Sequence, residues 1–120
     1  MITCHVRYTL NPDEIEAFTE YAKLWMRLID RLGGVHHGYF VPSQDEKAKD
    51  HGRFSFPGMG SEGPTDVAVA VFSFPDWEAY ERYRSEAGEH EECRTATKLV
   101  EETGCFTRYE RTFMTPVVGD

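Results

Sequence analysis

Residues 2–10 alternate between apolar and polar side chains without interruption. Because successive side chains of a strand point to opposite faces, this pattern predicts a β-strand with one face on a core. The opposite face is polar. The apolar side of this strand is formed by Ile2, Cys4, Val6, Tyr8 and Leu10, and the other side by Thr3, His5, Arg7 and Thr9.

A long amphipathic helix is predicted after this strand. Asn11 and Pro12 are typical of a helix start, as a capping side chain and a first-turn proline. Gly33 and Gly34 end the pattern, since glycine accepts the left-handed conformation that follows a helix. The predicted core-facing stripe consists of Ile15, Phe18, Ala22, Trp25, Ile29 and Leu32.

The rest of the chain is predicted to form three more strands and a second helical region. A strand is predicted over 35–41, closed by Pro42, and a long polar and glycine-rich loop over 43–65. The third strand, 66–73, is apolar on both faces, which is typical of a central strand. A helical region follows Asp76, breaks at Gly88 and resumes as far as Gly104. The fourth strand is predicted over 105–113, with Phe106 on the face opposite to Tyr109.

The element order β-α-β-β-α-β predicts one domain over 1–120 with a ferredoxin-like α+β fold. Right-handed crossovers place the first and third strands in the middle of a four-stranded antiparallel sheet, with the helices on one face. The other face needs a cover. A second copy of the chain, sheet against sheet, is the simplest partner, so we expect a homodimer.

Composition excludes several classes of function. Thirteen Lys and Arg against twenty-one Asp and Glu give the 120 residues a formal charge of −8. Nucleic acid and anionic membrane surfaces are therefore poor partners. No signal-type or membrane-spanning apolar run is present in the sequence, so a cytoplasmic location is expected. Cys4, Cys93 and Cys105 form no CxxC pair and are expected as buried thiols.

Four segments of the chain carry a family resemblance: MITCHVRYTLNPDE, LGGVHHGYFVPS, VAVAVFSFPDWEAYERYR and CFTRYERTFMTPV. Together they resemble the NIPSNAP family, within the dimeric α+β barrel superfamily. The resemblance implies a ferredoxin-like fold and a barrel-forming dimer. The activity of NIPSNAP proteins is largely uncharacterised. The loop 43–65 is longer than the family pattern requires.

The resemblance also implies where a site would lie. Related dimeric α+β barrels include cofactor-free quinone-forming monooxygenases, haem-degrading enzymes, chlorite dismutase-like proteins and dehydratases. Their sites generally occupy a pocket between the sheet and its own helices.

His36, His37 and Tyr39 are the candidate catalytic residues. Neighbouring residues of a regular strand face opposite ways, so His37 with Tyr39, or His36 alone, would line a cavity. An imidazole beside a phenol is suited to take a proton from an activated substrate near neutral pH. The simpler interpretation is a histidine hydrogen-bonded to backbone or to the dimer partner. A metal site would need His5 and Glu110 as well, and no ligand spacing supports one, so neither a metal nor a cofactor is predicted.

Arg7, Arg108 and Arg111 are candidate ligand anchors, because a guanidinium binds oxygens in pairs. Cross-strand ion pairing at the dimer interface, with Glu110 available as one partner, is the alternative. Trp25, Phe72 and Tyr80 are candidates for stacking on a flat ligand, against the alternative that they are simply core.

Two functions of different classes follow. The first is a protein that binds or transforms a small aromatic or enolic molecule in a sheet–helix pocket without a cofactor, in the manner of a monooxygenase. The alternative is a non-catalytic interaction or regulatory module. A pocket holding a histidine and an arginine would favour the first, and a solid sheet–helix interface the second.

Overall fold

The computed structural model describes residues 1–49 and 52–119. Four strands and three α-helices follow one another along the chain. Their bounds are β1 Ile2–Leu10, α1 Ile15–Arg31, β2 Val35–Phe40, β3 Val67–Phe74, α2 Trp77–Glu86, α3 Glu91–Thr103 and β4 Phe106–Met114.

The four strands form one antiparallel sheet in the order β2-β3-β1-β4. The predicted ferredoxin-like fold, with the first and third strands central, is therefore confirmed. The second helical region is two helices, α2 and α3, joined by a 3-10 turn over Ala87–Glu89 that contains Gly88. That break was predicted from the glycine.

The helix ends follow the local sequence. The carboxylate of Asp76 accepts a hydrogen bond from the backbone N–H of Ala79 at 2.8 Å, which caps α2. Gly33 and Gly104 have φ of 95° and 61°, in the left-handed region, directly after α1 and α3. These three positions fix where α1, α2 and α3 meet the strands.

The core lies between one face of the sheet and the helices. Phe18 of α1 is fully buried and packs edge-on against Tyr8 of β1, with ring centroids 5.0 Å apart. Cys4, Val6 and Leu10 of β1 are also buried there, as the alternation predicted. Burying such side chains supplies most of the free energy that holds the helices on the sheet.

Two irregularities shift the faces of the edge strands. In β2 the register slips between His36, opposite Phe72, and Gly38, opposite Val71, so His37 is an extra residue. In β4 a second slip sets Phe106 opposite Leu10 on the helix face. The predicted face of Phe106 was wrong for this reason. Simple alternation does not hold across a bulge.

The remaining sheet face has no cover among the described residues. Val67, Val69 and Val71 lie on it half-buried, while Val35 and Phe40 of β2 are exposed beside them. Across β1 and β4, the guanidinium of Arg7 pairs with the carboxylate of Glu110 at 3.5 Å. Arg7 thus has an ion-pair partner on the neighbouring strand of the same chain.

The loop between β2 and β3 is exposed where it is described, at 43–49 and 52–65. Its apolar side chains Phe54, Phe56 and Met59 are all exposed, Met59 at 82%. No helix within the described ranges is long and apolar enough to cross a membrane.

Candidate functional site

A cavity of about 450 Å³ lies between the helix face of the sheet and α1, α2 and α3. All six tyrosines of the chain line it. They come from both the sheet and the helices around the cavity. They are Tyr8 from β1, Tyr21 from α1, Tyr39 from β2, Tyr80 and Tyr83 from α2, and Tyr109 from β4.

The inner wall of the cavity is aromatic and apolar. Tyr8 is at its centre, with its ring centroid 5.9 Å from that of Tyr21 and 6.4 Å from that of Tyr39. Phe106 contacts Tyr8 edge-on at 4.9 Å, a position that depends on the β4 bulge. The other apolar lining residues are Val6, Trp25, Phe72 and Val100.

Burial keeps the inner phenols neutral. Loss of water raises the pKa of Tyr8, Tyr21 and Tyr39 well above the ordinary value, and neighbouring phenols add to this effect. Besides burial, the phenols of Tyr21 and Tyr39 have the largest effects on the pKa of Tyr8. Three neutral donors near one another suit a ligand oxygen that accepts hydrogen bonds.

Charged side chains line the outer part of the cavity. Arg84 follows Tyr80 and Tyr83 on one face of α2, and Arg111 follows Tyr109 on the helix face of β4. Both guanidinium groups are exposed, and both act to lower the pKa of Tyr80 against the larger opposing effect of its burial. Glu101 of α3 contributes the cavity's carboxylate. The cavity therefore has an apolar inner end and a charged outer end.

Trp25 adds an unused donor. Its indole Nε1 is buried and has no hydrogen-bond partner in the described part of the chain. A buried N–H without a partner costs about 1–3 kcal/mol, a cost that a ligand acceptor would remove. The residue itself lines the cavity.

The structure separates the predicted site residues into two groups. Tyr39, Arg111, Trp25, Phe72 and Tyr80 line the cavity together. Four predicted residues do not line it, namely His36, His37, Arg7 and Arg108.

The pairing of His37 with Tyr39 was wrong because of the bulge in β2. The His37 ring Nε2 lies 2.8 Å from the hydroxyl of Ser73, which in turn is 2.9 Å from that of Thr3. Ser73 is 2% exposed, so His37 closes a polar contact on the sheet face away from the helices. Tyr39 points the other way, into the core.

His36 lies on the helix side of β2 but outside the cavity. Its Nε2 is 3.5 Å from the carboxylate of Asp30 on α1, and its Nδ1 is buried without a partner among the described residues. The contact joins β2 to α1 rather than facing a ligand. Neither histidine is placed to act as a base in the cavity.

Arg108 and Arg7 lie on the uncovered sheet face, where Arg108 is opposite Thr9 and Arg7 opposite Glu110. Of the three predicted anchors, Arg111 is the one that faces the helices, because it lies an odd number of residues from Arg108 on β4. Alternation along the strand therefore leaves one of the three in the cavity.

Several cavity residues were not predicted as site residues, among them Tyr8, Tyr21, Arg84, Cys93 and Glu101. A signal was available for the tyrosines, since inward positions that carry a hydroxyl instead of Phe or Leu need hydrogen-bond partners. For Arg84 and Glu101 the sequence offered none, because charged residues on helices normally face solvent.

No group of three or more His, Cys, Asp or Glu side chains suited to a metal ion occurs within 1–49 and 52–119. His5 and Glu110, the other ligands considered, lie on the sheet face away from the cavity.

No known family model matches the chain, and no curated protein matches it. Solved structures do. A NIPSNAP family protein with unknown function from Agrobacterium tumefaciens is 14% identical, with 97% of this chain and 87% of that chain covered and a TM-score of 0.69. An uncharacterised NIPSNAP domain protein from Burkholderia xenovorans is 12% identical, with 98% and 95% covered and a TM-score of 0.67.

A putative antibiotic biosynthesis monooxygenase from Nitrosomonas europaea also matches, at 12% identity, 98% and 100% coverage and a TM-score of 0.63. At such identities the likeness shows a common fold and nothing finer. The chain is a ferredoxin-like α+β protein. Its resemblance to NIPSNAP proteins is confirmed at the level of the fold.

Proposed function

We propose that this protein binds a small, flat aromatic or enolic molecule in the cavity between its sheet and its helices. The observation that carries the proposal is the convergence of all six tyrosines on that one cavity. Its volume of about 450 Å³ falls within the range of small-molecule sites. Aromatic walls favour a flat apolar ligand, and neutral phenols favour an oxygen on it.

The donors are suited to a carbonyl or enolic oxygen. Tyr8, Tyr21 and Tyr39 remain protonated because burial raises their pKa, so each offers an O–H rather than an anion. Donors fixed in a dry site stabilise negative charge that develops on a bound oxygen. A monooxygenase-like transformation of the ligand without a cofactor would use this stabilisation of the developing charge.

The proton acceptor of such a reaction would differ from the one predicted from the sequence. Neither His36 nor His37 lines the cavity, whereas the carboxylate of Glu101 does. We therefore rest the proposal on binding and assign Glu101 as the group to test for proton transfer.

The uncovered sheet face supports a second proposal, that two copies associate through it. Three half-buried valines of β3 and the exposed Val35 and Phe40 form an apolar surface of the kind that associates in water. A non-catalytic interaction module would use the same face and the exposed loop. The two functions are compatible, since the cavity lies on the opposite face of the sheet.

The binding proposal is tested by calorimetry with naphthol and by alkylation of Cys93 with iodoacetamide. Cys93 lines the cavity, whereas Cys4 and Cys105 are buried and burial raises the pKa of the Cys4 thiol to about 11. Alkylation therefore reports on the cavity. We expect naphthol to bind with micromolar to millimolar Kd and to slow labelling of Cys93.

Val100→Trp, which fills the cavity, should abolish both effects, and Lys98→Trp on the exposed side of α3 should preserve them. Thr97→Trp, at the exposed outer end, serves as a second blocking variant if Val100→Trp unfolds. His37→Ala should leave the Kd of naphthol unchanged. Equal binding to wild type and to both blocking variants would refute the assignment.

A further inference from the structure

We infer that the cavity selects ligands carrying one negative charge at one end of a flat apolar body, and that Arg84 and Arg111 determine this selectivity. The inference rests on the proposed function, which it narrows from a small aromatic molecule to an aromatic or enolic monoanion. It follows from which side chains line the cavity and from their charges.

The cavity has more positive than negative side chains. Its ionic side chains are two guanidinium groups, Arg84 and Arg111, and one carboxylate, Glu101. Neither arginine forms an ion pair within residues 1–49 and 52–119, although the chain has an excess of acidic residues. The cavity thus carries a net charge of about +1 while the whole chain carries −8.

Both arginines affect the same two side chains. They come from different elements, α2 and β4, yet both shift the pKa of Tyr80 and of Cys4 in the direction expected of a nearby positive charge. Arg111 is held in place by the ring of Phe113, 5.6 Å from its guanidinium carbon. Because both guanidinium groups line the same cavity, they suit the paired oxygens of a carboxylate.

The two ends of the cavity differ in charge and in exposure to water. The charged residues are exposed at its outer end, and the phenols of Tyr8 and Tyr39 are deep inside it. The dry environment that disfavours ionisation of these phenols also disfavours a full ligand charge with no cation beside it, although the phenolic O–H groups stabilise the partial charge on a carbonyl or enolic oxygen. A second negative charge at the far end of a ligand would be buried without a cation. The site therefore accepts one charge, at one end.

The inference is tested with three probes that share a body and differ in charge. Naphthoate carries one negative charge, acetonaphthone carries none and naphthalene dicarboxylate carries two. We expect naphthoate to bind roughly tenfold more tightly than either of the others at low salt, with the preference shrinking as ionic strength rises.

Variants assign the effect to residues. Arg84→Gln and Arg111→Gln should each weaken naphthoate binding by roughly fivefold and change acetonaphthone binding by less than about twofold. Glu101→Gln should strengthen naphthoate binding by roughly twofold. Arg82→Gln, which removes the same charge from an exposed position of α2 outside the cavity, is the matched control and should change neither.

The outcomes separate this inference from the function on which it rests. If naphthoate and acetonaphthone bind equally and protect Cys93 equally, the selectivity is refuted and the cavity remains a ligand site. If the dicarboxylate binds best, the charge balance is refuted. If no probe binds or protects Cys93, the proposed function fails as well.

Discussion

The phenols of Tyr8, Tyr21 and Tyr39 show how burial changes the chemistry of a single residue. In water a tyrosine is an acid with a pKa near 10, but in this cavity the anion loses its hydration and the pKa rises well above that value. The folded state therefore holds these protons more tightly than the unfolded chain does.

Alkaline pH should destabilise the fold for that reason. The contribution of the buried phenols is fully present below the unfolded pKa near 10 and is lost as pH rises towards the higher folded values. We expect the free energy of unfolding, from urea titrations, to fall above about pH 10. Tyr8→Phe and Tyr39→Phe should each flatten that fall, and an unchanged slope would contradict the burial of these hydroxyls.

His37 and Ser73 give a second example at the scale of the residue. Their hydrogen bond, at 2.8 Å, satisfies a buried hydroxyl on the sheet face away from the cavity. We expect His37→Ala to lower the free energy of unfolding by about 1 kcal/mol, because Ser73 keeps Thr3 as its other partner. Thermal denaturation measures this. If His37→Ala instead abolished ligand binding without lowering the free energy of unfolding, His37 would belong to the binding site.

Glycines set the junctions between elements, and two of them do so by different physics. At Gly104 an added Cβ would meet no atom within 4 Å, and only its φ of 61° disfavours other residues. At Gly34, between α1 and β2, an added Cβ would lie 2.7 Å from Cζ of the buried Phe74 and 2.9 Å from Cγ2 of Ile29. One position needs a backbone conformation and the other needs space.

Substitution should distinguish the two. Gly104→Ala is expected to cost about 1 kcal/mol through backbone strain, and Gly104→Asn less. Gly34→Ala is expected to cost about 1–3 kcal/mol through overpacking. In a double-mutant cycle, Phe74→Leu should relieve part of the Gly34→Ala cost and none of the Gly104→Ala cost. Equal coupling in both cycles would contradict the assigned causes.

The two bulges are the features of the elements that most affect the site. The slip in β2 turns His37 away from Tyr39, and the slip in β4 brings Phe106 onto Tyr8. Gly38, with φ of 130°, allows the first slip because few other residues adopt that conformation. A strict two-residue period misassigns side chains beyond such points.

At the scale of the whole molecule, the sheet has one covered and one uncovered face. The chain spans 47 × 44 × 20 Å, flatter than a sphere of its length, and its helices form a layer on one side of the sheet. The proposed homodimer would bury the valines of β3 and complete a layered structure.

A charge placed on that face should prevent association. We expect Val69→Asp to convert a dimer to a monomer in sedimentation equilibrium at micromolar concentration, since an unpaired carboxylate opposes burial. Thr95→Asp, on the exposed side of α3, should leave the dimer intact. If the wild-type chain is monomeric under these conditions, the proposal of a sheet-to-sheet dimer is refuted.

Much of the fold could be predicted from the sequence because its signals are local. Alternation at Ile2–Leu10, the cap at Asp76 and the left-handed glycines after α1 and α3 each reflect interactions within a few residues of the chain. The strand order followed, since few topologies are compatible with that element order. Five of the nine predicted site residues lie in the cavity, and of these Trp25 is on the core-facing stripe that helical spacing predicts for α1.

The tertiary structure alone decided the rest. Whether His37 or Tyr39 faces the helices depends on one inserted residue in a strand register, which Gly38 permits but which only the pairing with β3 sets. Arg84, Arg111 and Glu101 lie on three different elements, and only the packing of α2, α3 and β4 around one cavity brings these three charges together. The sequence alone determined the layers and their order, because periodicity is local, whereas the chemistry of the cavity depends on long-range contacts.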